Sequence, residues 1–241
     1  MAQEGATADV PAAAAEPAAA RVDLHCHTSA SFDGVADPAA LVARAVERGL
    51  THLAITDHDT LDGALRAAEA APAGLQVLVG CEVNTTDGDL IVVFLQTPLP
   101  KRLSARDAIN AARAQGALVG LPHPYDHTRR SLLLDPANEA LVPELDWVEA
   151  WNGRVGRQAA NDQAAALALR HGLPAVGVTD AHALVEVGMG WTTMAGDPGT
   201  PDGLRAALRG PLAIMGPKAA PQPGRLARLL RPSSRHAGVV R

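Results

Sequence analysis

Short apolar runs alternate with amphipathic helical stretches at roughly 20–30-residue spacing through most of this chain. That alternation restricts the fold more than any other feature. Strands are expected at 22–27, 51–56, 75–79, 89–95, 117–121, 147–151 and 174–179. Helices are expected near 61–71, 104–115 and 157–170. An earlier helix opens at Asp37-Pro38, an N-cap followed by a first-turn proline, and runs through Leu41, Val42, Ala45 and Val46 to Gly49. An Asp87-Gly88 turn joins the third and fourth strands. A last extended piece near 191–194, a helix near 202–208 and a strand at 212–215 complete the pattern. Such a series implies parallel βαβ units. With 241 residues and 47% hydrophobic content there is material for one large α/β domain. About seven units in one domain favour a barrel over an open sheet.

The ends of the chain differ from this body. Residues 1–20 are an Ala-rich lead with no basic start and no Leu-rich core, so they read as disordered rather than as a secretory signal. Residues 21–216 form the expected barrel, a single domain. Residues 217–241 carry Lys218, Arg225, Arg228, Arg231, Arg235 and Arg241 and no acid. A solvated, flexible basic tail is the preferred reading, with a weak contact to RNA or another anionic partner as the alternative. The net charge of −5 makes no general case for nucleic-acid binding. No apolar run is long enough to span a membrane. Two cysteines make no disulfide framework, which implies a reducing cytoplasm.

Chemistry gathers at the strand ends. In Val22–His27 the side chains alternate, so Asp23, His25 and His27 share one side and Val22, Leu24 and Cys26 the other. Of nine histidines, five follow or end an expected strand: His25, His27, His58, His123 and His182. The carboxylates Asp33, Asp57, Glu82 and Asp180 lie there too. Each has an ordinary reading when taken singly. Asp59 could cap a helix beside a bystander His58, Glu82 could be a surface acid, His123 an exposed ring between two prolines, and Asp180 the cap of a short helix. Taken together they form a ligand set of imidazole and carboxylate suited to Zn²⁺, Mn²⁺ or Fe²⁺. The set exceeds the needs of one ion, which implies two or three, with a carboxylate such as Glu82 bridging. Chemistry spread over the ends of five strands is a property of barrels, whereas an open sheet gathers its site at one switch point.

The ordered motifs D-L-H-C-H-T, S-F-D-G, I-T-D-H-D-T, G-C-E-V-N-T, P-H-P and T-D-A-H resemble those of the PHP (polymerase and histidinol phosphatase) family over about residues 21–216. The resemblance implies a distorted (β/α)7 barrel with a trinuclear metal site, closest to the small nucleotide phosphoesterase branch. By motif, His25, His27, Glu82 and Asp180 would hold the first ion. Glu82 would bridge to a second, with His123, and Asp33, His58 and His182 would hold the third. Where the family places another histidine for the second ion, this chain has Asp89, either an oxygen ligand or an ordinary turn residue. Asp57 is expected to orient a histidine from behind.

The activity implied is hydrolysis of a phosphate ester by a metal-bridging hydroxide, with His25, His27, Glu82 and Asp180 acting through the ions and no phosphoenzyme. Cys26 and Cys81 face away from the ligands, against a catalytic thiol. Arg129, Arg130 and Arg154 are candidates for substrate phosphate, with Arg130 and Arg154 preferred, and His127 for donating a proton to the leaving oxygen. His52 and His171 are expected to be structural. The inserted domain that often closes over the base in that branch has no room between Glu82 and His123. The substrate is therefore a nucleotide, a short oligonucleotide or another phosphate ester at an open site. Two alternatives remain: a histidinol-phosphate-type phosphatase, with Glu149 or Asp126 holding the amine, and a noncatalytic metal-binding module.

Overall fold

The computed structural model describes residues 19–216. Nearly all of the expected lead and the whole expected tail lie outside that range, although Ala20, placed in the lead, opens the first strand. The elements are β1 (Ala20–Asp23), α1 (Pro38–Glu47), β2 (His52–Ile55), α2 (Asp62–Ala70), β3 (Gln76–Asn84), β4 (Asp89–Val93), α3 (Ala105–Ala114) and β5 (Leu118–Leu121). They continue with β6 (Trp147–Asn152), α4 (Gln158–His171), β7 (Ala175–Val178), β8 (Trp191–Met194), α5 (Pro201–Leu208) and β9 (Leu212–Met215). The 3₁₀ segments Leu132–Leu134 and Pro136–Glu144 fill the connection from β5 to β6. Local chemistry sets the helix ends. Asp37 accepts from the amides of Ala39 and Ala40 at the start of α1, Ser104 caps α3, and Gly172 closes α4 at φ 64°.

The nine strands form one mixed sheet in the order β7-β6-β5-β4-β3-β2-β1-β8-β9. It curls into a nearly closed barrel. At the end that carries the histidines, the chain beyond β1 pairs directly with the chain beyond β7. Cys26 bridges Ala181, the Asp180 amide donates to the His25 carbonyl, and the His27 amide donates to the Ala181 carbonyl. At the other end β8 wedges in, antiparallel to β1, and Thr192 Oγ1 ties it to the Gly177 amide and carbonyl of β7. One apolar cluster takes residues from each of the first seven strands, Val22, Ala54, Leu78, Ile91, Leu118, Trp147 and Val176 among them, and fills the barrel. Trp147 fits because its neighbour across the ladder is Gly120, where a Cβ would fall 2.0 Å from the indole. A second cluster packs α1 and α2 on the outside and takes in Cys26, on the face away from the ligands as expected.

The Asp87-Gly88 turn interrupts the parallel units. The link from Asn84 to Asp89 is a tight turn, with Thr85 Oγ1 donating to the Gly88 carbonyl at 2.5 Å, too short for a crossover. β4 therefore runs antiparallel to both β3 and β5. This pairing also carries β3 beyond its expected end at Val79, so Glu82 sits inside the ladder opposite Ile91. Conversely, β1 leaves the regular ladder after Asp23, where its neighbour changes from β8 to the chain beyond β7. Among the described residues, no helix is long and apolar enough to cross a membrane.

Candidate metal centre

All nine expected ligands converge at one end of the barrel in four overlapping groups. These are His25/His27/Asp180, His27/His58/Glu82, His27/Asp33/His182 and Glu82/Asp89/His123, the donor atoms in each lying within 4.8 Å of one another. His27 belongs to three groups and Glu82 to two. Glu82 faces both ways. Its Oε2 is 3.2 Å from the Nε2 atoms of both His25 and His27, and its Oε1 is 3.0 Å from His123 Nε2. A carboxylate so placed can bridge two ions. Asp33 Oδ2 lies 3.3 Å from His58 Nε2 and 3.0 Å from His182 Nε2.

Acceptors behind the imidazoles set how they present. His25 Nδ1 donates to Glu149 Oε1 at 2.7 Å, and His182 Nδ1 to the Asp180 carbonyl at 2.8 Å. The Ser131 hydroxyl donates to the His123 and Asp126 carbonyls and so accepts from His123 Nδ1 at 3.2 Å. In all three rings Nδ1 is tied outward and Nε2 turns to the centre, the arrangement that fixes a ligand imidazole. His123 and Asp180 also hold left-handed backbone, φ 28° and 55°. Strain of this kind persists where surrounding contacts enforce it, and it collects at functional sites.

The electrostatics ask for a cation. Burial disfavours the His25 cation, but Asp180, Glu149 and Glu82 outweigh it and raise its pKa well above the usual value. Burial leaves His27 neutral, its pKa lowered. Their Nε2 atoms lie 2.9 Å apart. Burial would raise Glu82, yet His25, His123 and His27 hold it ionised far below the usual carboxylate range. Asp89 is pushed up to about 7 by burial and by the Glu82 charge. Two buried oxygens, Asp180 Oδ1 and Asp89 Oδ1, have no hydrogen-bond partner. Asp180 Oδ1 nevertheless sits 3.5, 3.6 and 3.4 Å from nitrogens of His25, His27 and His182. Orphaned carboxylate oxygens facing inward-turned imidazoles fit divalent ions, and Asp89 fits as an oxygen donor where the family pattern has nitrogen.

The other expected residues divide. Arg129, ranked below Arg130 and Arg154 from the sequence, is the one of the three that reaches Asp180. Its Nη1 donates to Asp180 Oδ2 and its Nε lies 3.7 Å from Asp126. Arg130 is more exposed, with Nε 3.5 Å from Asp89 and Nη2 donating to the Thr85 carbonyl. Arg154 donates to Glu186 at 2.8 Å, and the other Glu186 oxygen accepts from the amides of His182 and Ala183. Arg154 thus braces the His182 loop. His127 is exposed and belongs to none of the four groups. Asp57 holds no histidine; its two oxygens accept from the Thr28 amide and hydroxyl, each at 2.7 Å. His52 pairs with Asp197 and His171 with Glu139, both away from the centre. Burial pushes both cysteine thiols up, Cys26 and Cys81 alike, which leaves them poor nucleophiles.

Glu149, named from the sequence only as a possible amine partner, instead lies behind His25. It is fully buried, and Oε2 accepts from the His123 amide at 3.0 Å and from Asn152 Nδ2 at 2.9 Å while Oε1 takes His25. The signal was an acid inside the otherwise apolar run Trp147–Trp151. A Glu149→Gln change must point an NH₂ at one set of donors. Ion affinity is expected to fall about 10–100-fold, the usual effect of losing an outer partner of a ligand histidine. Competition against a chelating dye measures it, and unchanged affinity would show that Glu149 does not orient His25.

Residues 23–139 match the PHP domain and 158–210 the PHP-associated region. A 5′-3′ exoribonuclease of Haemophilus influenzae is 34% identical over 119 residues, 44% of this chain and 43% of the exoribonuclease. The crystal structure of a two-domain Bacteroides vulgatus protein containing a predicted PHP-like metal-dependent phosphoesterase superposes with a TM-score of 0.69. At 22% identity it covers 90% of this chain and 70% of that one, and it shows the same fold. An uncharacterized protein of Methanocaldococcus jannaschii is 32% identical over 143 residues, 55% of this chain and 81% of its own length. On that shared sequence, with the PHP motifs gathered at one end of a distorted barrel, the chain belongs to the PHP domain family.

Proposed function

We propose that the chain is a metal-dependent phosphoric ester hydrolase whose substrate is a nucleotide or short oligonucleotide. The observation that carries this reading is the overlap of the four ligand groups through His27 and Glu82. Such overlap suits two or three ions of manganese, zinc or iron. Ions held there would lower the pKa of a water and neutralise phosphate oxygens. The chain's own residues supply the rest. His25, His27, Glu82 and Asp180 hold the centre, with Glu149 and Arg129 steadying His25 and Asp180. Arg130, beside Asp89 and the more exposed of the two preferred arginines, is the better placed to meet a substrate phosphate. Arg154, engaged by Glu186, is the weaker candidate. A proton-donor role for His127 would need its loop to bring the ring inward. The resemblance to an exoribonuclease supports a nucleic-acid or nucleotide substrate. The free cysteines, Cys26 and Cys81, accord with a cytoplasmic location.

The histidinol-phosphate alternative loses its support, because Glu149 is buried and saturated and Asp126 caps its own turn at Thr128. A noncatalytic module has no need of a ligand set this complete. The test is a panel of phosphate esters, including nucleoside 3′,5′-bisphosphates and short oligonucleotides, against protein stripped and reloaded with Mn²⁺, Zn²⁺ or Fe²⁺ in turn. Release of phosphate or mononucleotide is expected with at least one ion. Protein that binds the ions yet cleaves no ester would refute the proposal.

A further inference from the structure

The chain has few aromatic residues, 2% of the total, and one of them is placed where burial cannot explain it. Phe32 is 85% exposed, the largest of the exposed apolar side chains among the described residues and the only aromatic one. It directly precedes Asp33. One face of its ring stacks on His58, centroids 4.8 Å apart and planes 23° from parallel, which leaves the other face open to solvent. Chance exposure on a loose loop would need no account. This loop is held fast. The Ser29 amide donates to the Ala36 carbonyl, the Val35 amide to the His182 carbonyl, and Ser31 Oγ accepts from the His58 amide. Gly34 lies so close to Thr28 that a Cβ there would fall 2.0 Å from its carbonyl oxygen. The turn therefore presents Phe32 outward beside the ligand cluster.

We infer that Phe32 is a specificity-determining residue, a platform on which the base of a nucleotide substrate stacks while its phosphate lies at the ligand cluster. The inference rests on the phosphoesterase reading above and adds the part of the substrate that reading leaves open. A pinned, flat apolar face next to a phosphate-handling site matches a ligand that joins a phosphate to a π-face within one nucleotide's reach. Stacking on an aromatic ring accepts any base, and the Phe32 platform carries no hydrogen-bonding group to choose among them. The expected preference is for nucleotides as a class.

The test uses the full chain loaded with zinc and 2-aminopurine nucleoside monophosphate, whose fluorescence is quenched when the base stacks. Quenching is expected with the wild type and with Phe32→Tyr, and its loss with Phe32→Ala and Phe32→Leu. Leucine keeps apolar cover over His58 without a flat face, and metal content measured on every variant confirms that the centre is intact. In turnover, Phe32→Leu is expected to raise KM for a nucleotide substrate by about 5- to 150-fold, the range for loss of one stacked base, with kcat and glycerol phosphate hydrolysis little changed. Quenching that survives in both Phe32→Ala and Phe32→Leu, or none in the wild type, overturns the platform. Quenching that follows the ring while no ester is hydrolysed supports the platform and refutes the hydrolase reading. Hydrolysis without quenching does the reverse.

Discussion

A His27→Ala variant is expected to lose bound metal and turnover together, by more than about a hundredfold in ion affinity and in kcat/KM. That exceeds the ~10–100-fold usual for removing an outer partner of a ligand. The reason is position. His27 contributes to three of the four ligand groups, whereas His58, Asp33 and His182 each contribute to one. Its Nε2 lies 2.9 Å from that of His25 and 3.2 Å from Glu82. Removing it therefore opens the middle of the centre, and His58→Ala should cost less. Because His27 is fully buried, alanine also leaves a hole. His27→Gln fills most of that space with a weaker donor and separates loss of ligation from loss of packing. Metal content by elemental analysis and steady-state rates on both variants make the measurement. Full metal occupancy in both would mean that His27 is not a shared ligand.

The sequence made the ligands legible because a strand's period is fixed. Once Val22–His27 is extended, His25 and His27 must share a side, and short strands ending in His, Asp or Glu bring their tips to one rim of a barrel. What it hid depended on neighbours rather than on period. Glu82 seemed to follow a strand, yet β4 folds back along β3 and holds it inside the ladder. That register points its two oxygens at separate groups. The Asp87-Gly88 turn was readable, but a tight turn also reverses the next strand, which breaks the parallel series. Arg129 and Arg130 are adjacent in an irregular loop with no period to orient them, so the one that reaches Asp180 could not be chosen in advance. Glu149 stood in plain view as an acid in an apolar strand. Its meaning depended on His25, 124 positions away. Asp57 had the right neighbours in sequence and a different partner in space, because the chain turning after His27 brings the Thr28 amide and hydroxyl onto it first.

Ion binding is expected to raise the melting temperature by about 5–10 °C when the ion stands at ~100 times its Kd. A ligand that binds only the folded state at that excess contributes about 2.7 kcal/mol, and a domain of this size shifts by roughly 2–4 °C per kcal/mol. The centre is built for that gain. Glu82, Asp89, Asp180 and Glu149 are all buried at one end of the barrel, where Arg129 is committed to Asp180 and the exposed Arg130 reaches only Asp89 of the four. Without an ion, the carboxylates raise the pKa values of His25 and His123 and draw positive charge onto those rings, and Asp180 Oδ1 and Asp89 Oδ1 have no hydrogen-bond partner. An ion held by these ligands would take over that positive charge, with Asp180 and Asp89 available as oxygen donors. Since imidazole and carboxylate bind metal only in their deprotonated forms, the gain should grow with pH. The raised His25 pKa points the same way. Its stabilising contribution in the ion-free protein is complete below the unfolded pKa and fades as pH rises through the folded one, so the ion-free barrel weakens as the ion binds more tightly. Melting curves with and without zinc, at about pH 6 and about pH 8, test both statements. A chelator should reverse the shift, and Asp180→Asn should shrink it. An ion that binds stoichiometrically and leaves the melting temperature unmoved would be held equally by the unfolded chain, and so not by a centre that only the folded barrel assembles.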